Sequence, residues 1–144
     1  MRSIIGAHPS DDETIIVTDM EAGIEHLSRT TVRHSDVILI VTEPYYRSLQ
    51  TAVRIHEMAH DLGIPNVYVV ANKVRTEMEA EAIGKFAEQR QLDIIATIPF
   101  DEEVAASSIL PAAPLDYCAE AQGVRAVADL AMILEQRFLN GQSM

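Results

Sequence analysis

Residues 36–42, with the sequence DVILIVT, carry the strongest strand signal in the chain. The run is apolar without interruption and rich in β-branched side chains, which favours a strand covered on both faces over a strand with one face in water. Three further runs of the same character lie before and after it: residues 14–18 (TIIVT), 66–72 (NVYVVAN) and 93–98 (DIIATI). The sequence therefore predicts about four parallel strands.

Helical patterns follow each of these runs. They cover, approximately, residues 24–34, 47–62, 77–91, 102–109 and 122–139. An alternation of strand and helix is the signature of right-handed βαβ units. We therefore expect an α/β fold, in which helices cover both faces of a parallel sheet.

The composition limits the classes of function. A chain of 144 residues with 48% hydrophobic side chains can build one domain with its own core. Its 11 basic residues against 22 acidic ones, a net charge of −11, argue against a broad surface for nucleic acid or for an anionic membrane. One cysteine, Cys118, cannot form an intramolecular disulfide, and no apolar run approaches the ~20 residues of a membrane helix. We predict a cytoplasmic protein with neither nucleic-acid nor membrane partners.

One familiar motif points elsewhere. Residues 56–60, HEMAH, have the spacing that places two zinc ligands and a general base on one helix. The extended form of that motif needs a third histidine where this chain has Asn66. The helix predicted over 47–62 carries His56 and His60 on its apolar arc, so we expect both to face the sheet or a partner. This arrangement is that of a crossover helix between two parallel strands, and it disfavours a zinc metalloprotease.

Acidic and amide side chains recur just after the predicted strands. The residues there are Asp19, Glu43-Pro44, Asn72-Lys73 and Pro99-Phe100-Asp101. Open α/β sheets bind their ligands at the carboxyl ends of the strands. We therefore expect a ligand site at this edge of the sheet.

Residues 19–26, DMEAGIEH, carry the most specific resemblance to a known family. They resemble the Walker B and switch II segment of the CooC-type ATPases, which mature carbon monoxide dehydrogenase, and the MinD branch has a related run. The resemblance implies that Asp19 holds a water molecule of a Mg²⁺ shell and that Gly23 lets a backbone N–H approach a γ-phosphate. It also assigns a switch and dimer role to three residues of the same run: Glu21, Glu25 and His26.

Two other strand ends continue the resemblance to these MinD/ParA-type P-loop ATPases. Asn72-Lys73 is similar to the adenine-reading pair of the family, and Pro99-Phe100-Asp101 is similar to its second base-contacting loop. An amide such as that of Asn72 can pair a donor and an acceptor with an adenine edge. Guanine-specific P-loop proteins carry Asn-Lys-x-Asp, whereas position 75 is Arg75. The resemblance therefore implies ATP and Mg²⁺ as cofactors and a Rossmann-like P-loop fold.

The chain departs from the family in one large respect. It has no G-x-x-x-x-G-K-[ST], and its six glycines are isolated from one another. The resemblance runs from about residue 14 to the end, so we expect residues 1–144 to be a single partial nucleotide-binding domain, a truncated P-loop fold with loosely held ends at 1–13 and 140–144. We predict that this chain does not hydrolyse ATP by itself, and whether it retains nucleotide affinity stays open. In the family, the P-loop strand lies between the strands that match residues 14–18 and 36–42. We therefore expect these two strands either to pair directly or to accept a strand from a partner. The partner would be a second copy, in a homodimer, or a missing N-terminal half.

The resemblance implies a parent protein that matures a metal centre, the nickel site of CO dehydrogenase, with a metalloenzyme as its client. A partition or septum-site ATPase half is the alternative within the same fold. A non-catalytic protein-interaction module is the alternative in a different class.

Overall fold

The structure is a computed structural model and describes residues 15–20 and 35–138. Its strands are β1 (Ile38–Thr42), β2 (Val67–Val74) and β3 (Ile94–Pro99). Its helices are α1 (Tyr46–Asp61), α2 (Glu77–Gln89), α3 (Glu102–Ser107), α4 (Pro114–Tyr117) and α5 (Gln122–Phe138). The helix predicted over 24–34 and the ends at 1–13 and 140–144 lie outside the described residues.

The sheet is parallel, with β2 between β1 and β3. The pairing of β1 with β2 runs in register from Ile38 opposite Val67 to Thr42 opposite Ala71. The middle of β2 is almost fully buried, with Val69 and Val70 each 1% exposed. Such burial requires cover on both faces, which explains why the strand reads as a continuous apolar run. The predicted α/β class and parallel topology are confirmed.

The prediction of four strands is wrong for the residues that the structure describes, because the sheet has three. Residues 15–20 belong to no strand, and all six are exposed. Val17 is 89% exposed, whereas Ile40 of β1 is 4% exposed. An apolar β-branched run becomes a strand only where a neighbouring backbone pairs with it, and the described part of β1 does not pair with this segment. Of the two alternatives for this segment, direct pairing with β1 does not occur among the described residues, and acceptance of a strand from a partner stays a prediction.

Helices cover both faces of the sheet, as predicted. On one face, Ala52 and Ala59 of α1 pack in a cluster with Ile40 of β1 and Val69 of β2. α2 covers the same face farther along and buries Ile83. On the opposite face α5 packs against β3, and its Phe138 ring lies 6.3 Å from that of Tyr68, the residue that alternates with Val69.

α1 is the crossover helix predicted for 47–62. Its buried stripe consists of Leu49, Ala52 and Ala59, and the chain leaves the helix through Gly63 at φ +74°, where glycine has no Cβ to clash. His56 is half-buried and His60 is exposed, so the sheet covers only His56, and contact of His60 with a partner stays a prediction. The stripe is centred on alanines, and the ~100° step from Ala59 turns His60 toward solvent. Among the helices described, none has the length and apolar character needed to cross a bilayer.

Candidate functional site

The carboxyl end of β1 is held by one serine of α1. The Ser48 hydroxyl oxygen accepts a hydrogen bond from the Glu43 backbone N–H at 3.1 Å and lies 2.9 Å from the hydroxyl oxygen of Thr42. Thr42 is only 1% exposed, so this hydroxyl pair satisfies a polar side chain inside the fold. The consequence is a defined backbone position for Glu43, the first residue after the strand.

Glu43 reaches the neighbouring strand. Its Oε1 lies 2.6 Å from Nζ of Lys73, which belongs to β2. Lys73 has φ +56°, the left-handed region that few non-glycine residues occupy, and the pairing of β2 with β3 shifts register between Ala71 and Val74. The irregularity in β2 turns the Lys73 side chain toward the end of β1. We name this contact the Glu43–Lys73 pair.

Asn72 stands directly before the irregular residue. Its Oδ1 accepts a hydrogen bond from the Lys73 backbone N–H at 3.0 Å. Its Nδ2 has no hydrogen-bond partner among the described residues, and the side chain is half-buried. The amide therefore holds the local backbone with its oxygen while its N–H groups stay available to a ligand.

An arginine and an aromatic ring meet where β2 and β3 end. The Phe100 backbone N–H donates to the Val74 carbonyl at 2.9 Å, which sets the two strand ends side by side. Cζ of Arg75 lies 3.4 Å from the centroid of the Phe100 ring, a stacked cation–π arrangement. The Arg75 backbone is fixed in turn, because its N–H donates to Oε2 of Glu79 at 2.6 Å within the capping box that starts α2.

Asp101 joins two helix starts. Its Oδ1 accepts from the backbone N–H groups of Glu103 at 2.9 Å and Val104 at 3.2 Å, and its Oδ2 accepts from that of Gly123 at 3.1 Å. A Cβ at position 123 would lie 3.2 Å from the Asp101 Cβ, so a glycine there permits the close approach. The bond from Gly123, supported by those from Val104 and Glu103, holds the pKa of this carboxyl below its ordinary value, although partial burial opposes the shift. We name this arrangement the Asp101 clamp.

The Asp101 clamp gives a prediction about acid stability. A carboxylate whose pKa is lowered by folding stabilises the fold fully above its ordinary value of 3.8, and that contribution is lost as the pH falls through the folded pKa. Asp101→Asn places an amide N–H₂ group against a backbone donor and is expected to lower the melting temperature by about 3–6 °C at neutral pH. Thermal melts of both proteins from neutral to acid pH measure the difference, which should shrink below the ordinary pKa. A gap that stays constant down to strongly acid pH would contradict a role for the charge.

Comparisons with known proteins agree with this architecture. No protein-family model matches the chain. It is 43% identical to an uncharacterized ATP-binding protein of Methanocaldococcus jannaschii over 98 aligned residues. The alignment covers 68% of this chain and 38% of that protein. It is 42% identical to the carbon monoxide dehydrogenase accessory protein CooC of Rhodospirillum rubrum over 92 aligned residues. This alignment covers 64% of this chain and 34% of that protein. The MinD cell division protein of Aquifex aeolicus superposes with a TM-score of 0.61 at 22% identity, over 79% of this chain and 48% of that one.

The chain is a CooC-like member of the MinD/ParA-type ATPases. It spans less than half the length of the curated relatives it matches. The MinD of Pyrococcus horikoshii, solved with Mg-ADP, has the same fold with a TM-score of 0.61 at 16% identity, over 76% of this chain and 45% of that one. The family therefore includes nucleotide-bound members, and the expected resemblance to MinD/ParA-type, CooC-like proteins is confirmed.

The CooC-like chain brings part of its predicted site together. Asn72-Lys73 and Pro99-Phe100-Asp101 lie at adjacent strand ends, on β2 and β3, as predicted. Asp19 is described but follows an exposed segment rather than a buried strand, so the rigid strand end expected to hold it is not present there. The remaining predicted site residues lie outside the described part of the chain: Glu21, Gly23, Glu25 and His26.

Three residues of the site were not predicted as members. Glu43 was noted only as a strand-end residue and Arg75 only as a departure from guanine-specific proteins, whereas Ser48 was not considered. A signal for Glu43 existed, since it follows β1 as Asn72 and Lys73 follow the apolar part of β2. For Ser48 and Arg75 no signal existed, because a serine on a helix and an arginine in a turn are ordinary surface residues. Within residues 15–20 and 35–138, no group of three metal-ligating side chains is assembled, at HEMAH or elsewhere.

Proposed function

We propose that this CooC-like chain binds the adenine base of ATP at the carboxyl edge of its sheet. The observation that supports this most directly is the meeting of Asn72, the Glu43–Lys73 pair and the Arg75–Phe100 stack at adjacent strand ends. The Asn72 amide offers N–H donors to the ring nitrogens of a base and keeps an oxygen lone pair for its exocyclic amine. The stacked guanidinium and ring offer a flat surface to the base plane.

Each remaining predicted residue has a part in this proposal. Pro99 ends β3 and so sets the position of Phe100, and Asp101 fixes the loop through its clamp. Asp19 supplies carboxylate oxygens, the ligand class that Mg²⁺ prefers, and its exposure leaves it accessible to a water-mediated contact. Gly23 would approach the γ-phosphate, and Glu21, Glu25 and His26 would act in the switch and dimer segment.

The residues available to bind the phosphates of ATP determine whether hydrolysis is part of the proposal. Bound Mg²⁺ would neutralise phosphate charge, but the lysine and hydroxyl of a P-loop do not occur in this sequence in the spacing that cradles phosphates. The proposal is therefore base recognition without hydrolysis by this chain alone. Base contacts alone support a Kd on the order of 0.1–1 mM.

Titration with a fluorescent ATP analogue and Mg²⁺ tests the proposal. We expect saturable binding that ATP and adenosine displace and GTP does not, with no phosphate release above the buffer rate. Absence of saturation at millimolar concentration would overturn the binding proposal. Turnover at catalytic rates would overturn the statement that the chain does not hydrolyse ATP.

The biological role proposed is ATP-dependent maturation of a nickel metal centre. Its support is the 42% identity to CooC, whose name links it to carbon monoxide dehydrogenase, against 27% to the MinD homologue of Arabidopsis thaliana. We propose accordingly a metalloenzyme client, a homodimer or a complementary N-terminal half as partner, and a cytoplasmic location. Co-purification with nickel-free carbon monoxide dehydrogenase tests the client, with a septum-site protein as the comparison bait. Capture by the septum-site protein alone would favour the MinD alternative.

A further inference from the structure

Residues 109–117, ILPAAPLDY, form an excursion between α3 and α5 that exposes its apolar side chains. All nine residues are exposed, and Asp116 alone among them carries a charge. The exposed fraction is 86% for Ile109, 68% for Leu115 and 51% for Tyr117. Single apolar residues scattered on a surface need no explanation, whereas a run of them marks a site that binds another molecule.

The backbone of the excursion is held at both ends. The Leu110 N–H donates to the carbonyl of Ser107 at 3.0 Å, and Ser107 is fully buried. The Cys118 N–H donates to the carbonyl of Pro114 at 2.9 Å, and Cys118 is buried as well. Pro111 and Pro114 restrict φ between these two points. Because a segment that is ordered beforehand loses less conformational entropy on docking, the excursion presents its side chains on a preformed surface.

The excursion belongs to the β3 side of the fold. It connects α3, which begins shortly after β3, to α5, which packs on β3. β2 lies between β3 and β1. The exposure of the excursion therefore does not depend on what pairs with β1.

The charges around the excursion have one sign. Residues 91–124 contain six carboxylates and no lysine, arginine or histidine. Glu102 and Glu103 lie on α3, which contacts α4, and both are exposed, as is Asp116 of α4. These three carboxylates make no ion pair among the described residues. Burial raises the pKa of the Cys118 thiol, and the charge of Glu103 raises it further, so this carboxylate lies close to the end of the excursion.

We propose that the excursion binds a partner protein whose surface is apolar at its centre and rimmed with lysine or arginine. Ile109 and Leu115 supply the apolar contact, and the unpaired carboxylates beside them select the basic rim. A second copy of this chain would bring those carboxylates against one another, and an anionic membrane would repel them. The inference does not rest on nucleotide binding, since no residue of the excursion belongs to the candidate site.

Titration with two designed helical peptides tests the apolar contact. One peptide repeats Leu-Lys-Lys-Leu-Leu-Lys-Leu, and the other has glutamate in place of every lysine. We expect the lysine peptide to bind with a Kd on the order of 10–100 μM and the glutamate peptide not to saturate. Ile109→Ser combined with Leu115→Ser should weaken binding of the lysine peptide about tenfold or more. Met78→Ser combined with Met132→Ser is the matched control, because it removes two side chains exposed by 76% and 52% on other helices, and should leave the Kd unchanged.

A second pair of variants tests the acidic rim at equal net charge. Glu102→Gln with Asp116→Asn removes two exposed carboxylates beside the excursion, whereas Glu57→Gln with Glu88→Gln removes two exposed carboxylates elsewhere. We expect only the first pair to weaken binding of the lysine peptide, about threefold or more.

Four results would overturn the proposal. They are the absence of saturation by the lysine peptide, equal binding of both peptides, equal binding of the lysine peptide by the wild-type chain and the excursion serine variant, and equal weakening by the two charge variants. Flotation with phosphatidylglycerol vesicles that the serine variant loses would also overturn it, because the excursion would then bind lipid.

Discussion

Replacing Ile83 by Ala is expected to lower the free energy of unfolding by about 2–4 kcal/mol. Ile83 lies on α2, is 2% exposed and packs with Leu49, Ala71 and Val74 beneath the irregular end of β2. Truncation loses the burial of the removed carbons and leaves a cavity that the surrounding side chains fill only in part. In a domain of this size, the loss corresponds to a fall in melting temperature of about 6–12 °C.

The next residue supplies the control. Gly84 is exposed in the same helix, and a Cβ added there meets no atom within 4 Å. Gly84→Ala should raise the free energy of unfolding by about 0.5–1 kcal/mol, because it removes the entropy cost of a helical glycine. Denaturant unfolding followed by circular dichroism measures both variants. Equal effects of the two substitutions would contradict the packing of α2 on the sheet.

Replacing Asn72 is expected to have the largest effect on nucleotide binding. Asn72→Ala removes both the acceptor for the Lys73 N–H and the donors proposed to face the base, and should weaken adenosine binding about tenfold or more. Asn72→Asp keeps the acceptor, and thus the backbone bond, but exchanges the N–H₂ donors for a second acceptor. The two variants therefore separate base recognition from support of the strand end.

The measurement is a titration with adenosine beside ATP, since adenosine carries no phosphate charge to repel the new carboxylate. Under the proposal, both variants lose affinity for adenosine, and only Asn72→Ala loses thermal stability. If Asn72→Asp binds adenosine as tightly as the wild-type chain, the amide does not read the base. This result would leave the fold assignment intact, because the fold rests on the sheet and its relatives.

Three of the strands were predicted to within a few residues, and the physical reason is burial. The runs at 36–42, 66–72 and 93–98 are mostly apolar because helices pack on the sheet that they form, most completely over β2. The run at 14–18 has the same composition and is not a strand in the described structure. The amino-acid composition of a segment shows whether its side chains suit the interior of a sheet. Whether the segment pairs depends on a neighbouring strand, and the local sequence gives no information about that strand. The four-residue helix α4 was likewise not predicted, because a single turn has no periodicity to detect.

The location of the site could be predicted from the sequence, whereas most of its side-chain contacts could not. Strand order brings Asn72, Lys73 and Phe100 to one edge, which follows from parallel topology alone. The Glu43–Lys73 pair depends on the left-handed backbone conformation of Lys73 inside β2. The Arg75–Phe100 stack depends on the turn before α2, which the capping box of that helix fixes. These are tertiary consequences of backbone irregularities. Asp101 was expected to touch a base, and the structure shows both of its carboxylate oxygens engaged with helix starts.

The Asp101 clamp also determines which part of this chain can change length. One carboxylate bonds the start of α5 directly to the residue after β3, and α5 also packs on β3, so the helix is positioned by contacts that the connecting chain does not supply. Residues 109–117 form an exposed excursion that begins and ends near this fixed point. We expect insertions and deletions there to leave the docking of α5 on the sheet unaltered. The excursion is thus a suitable place for a reporter to be introduced.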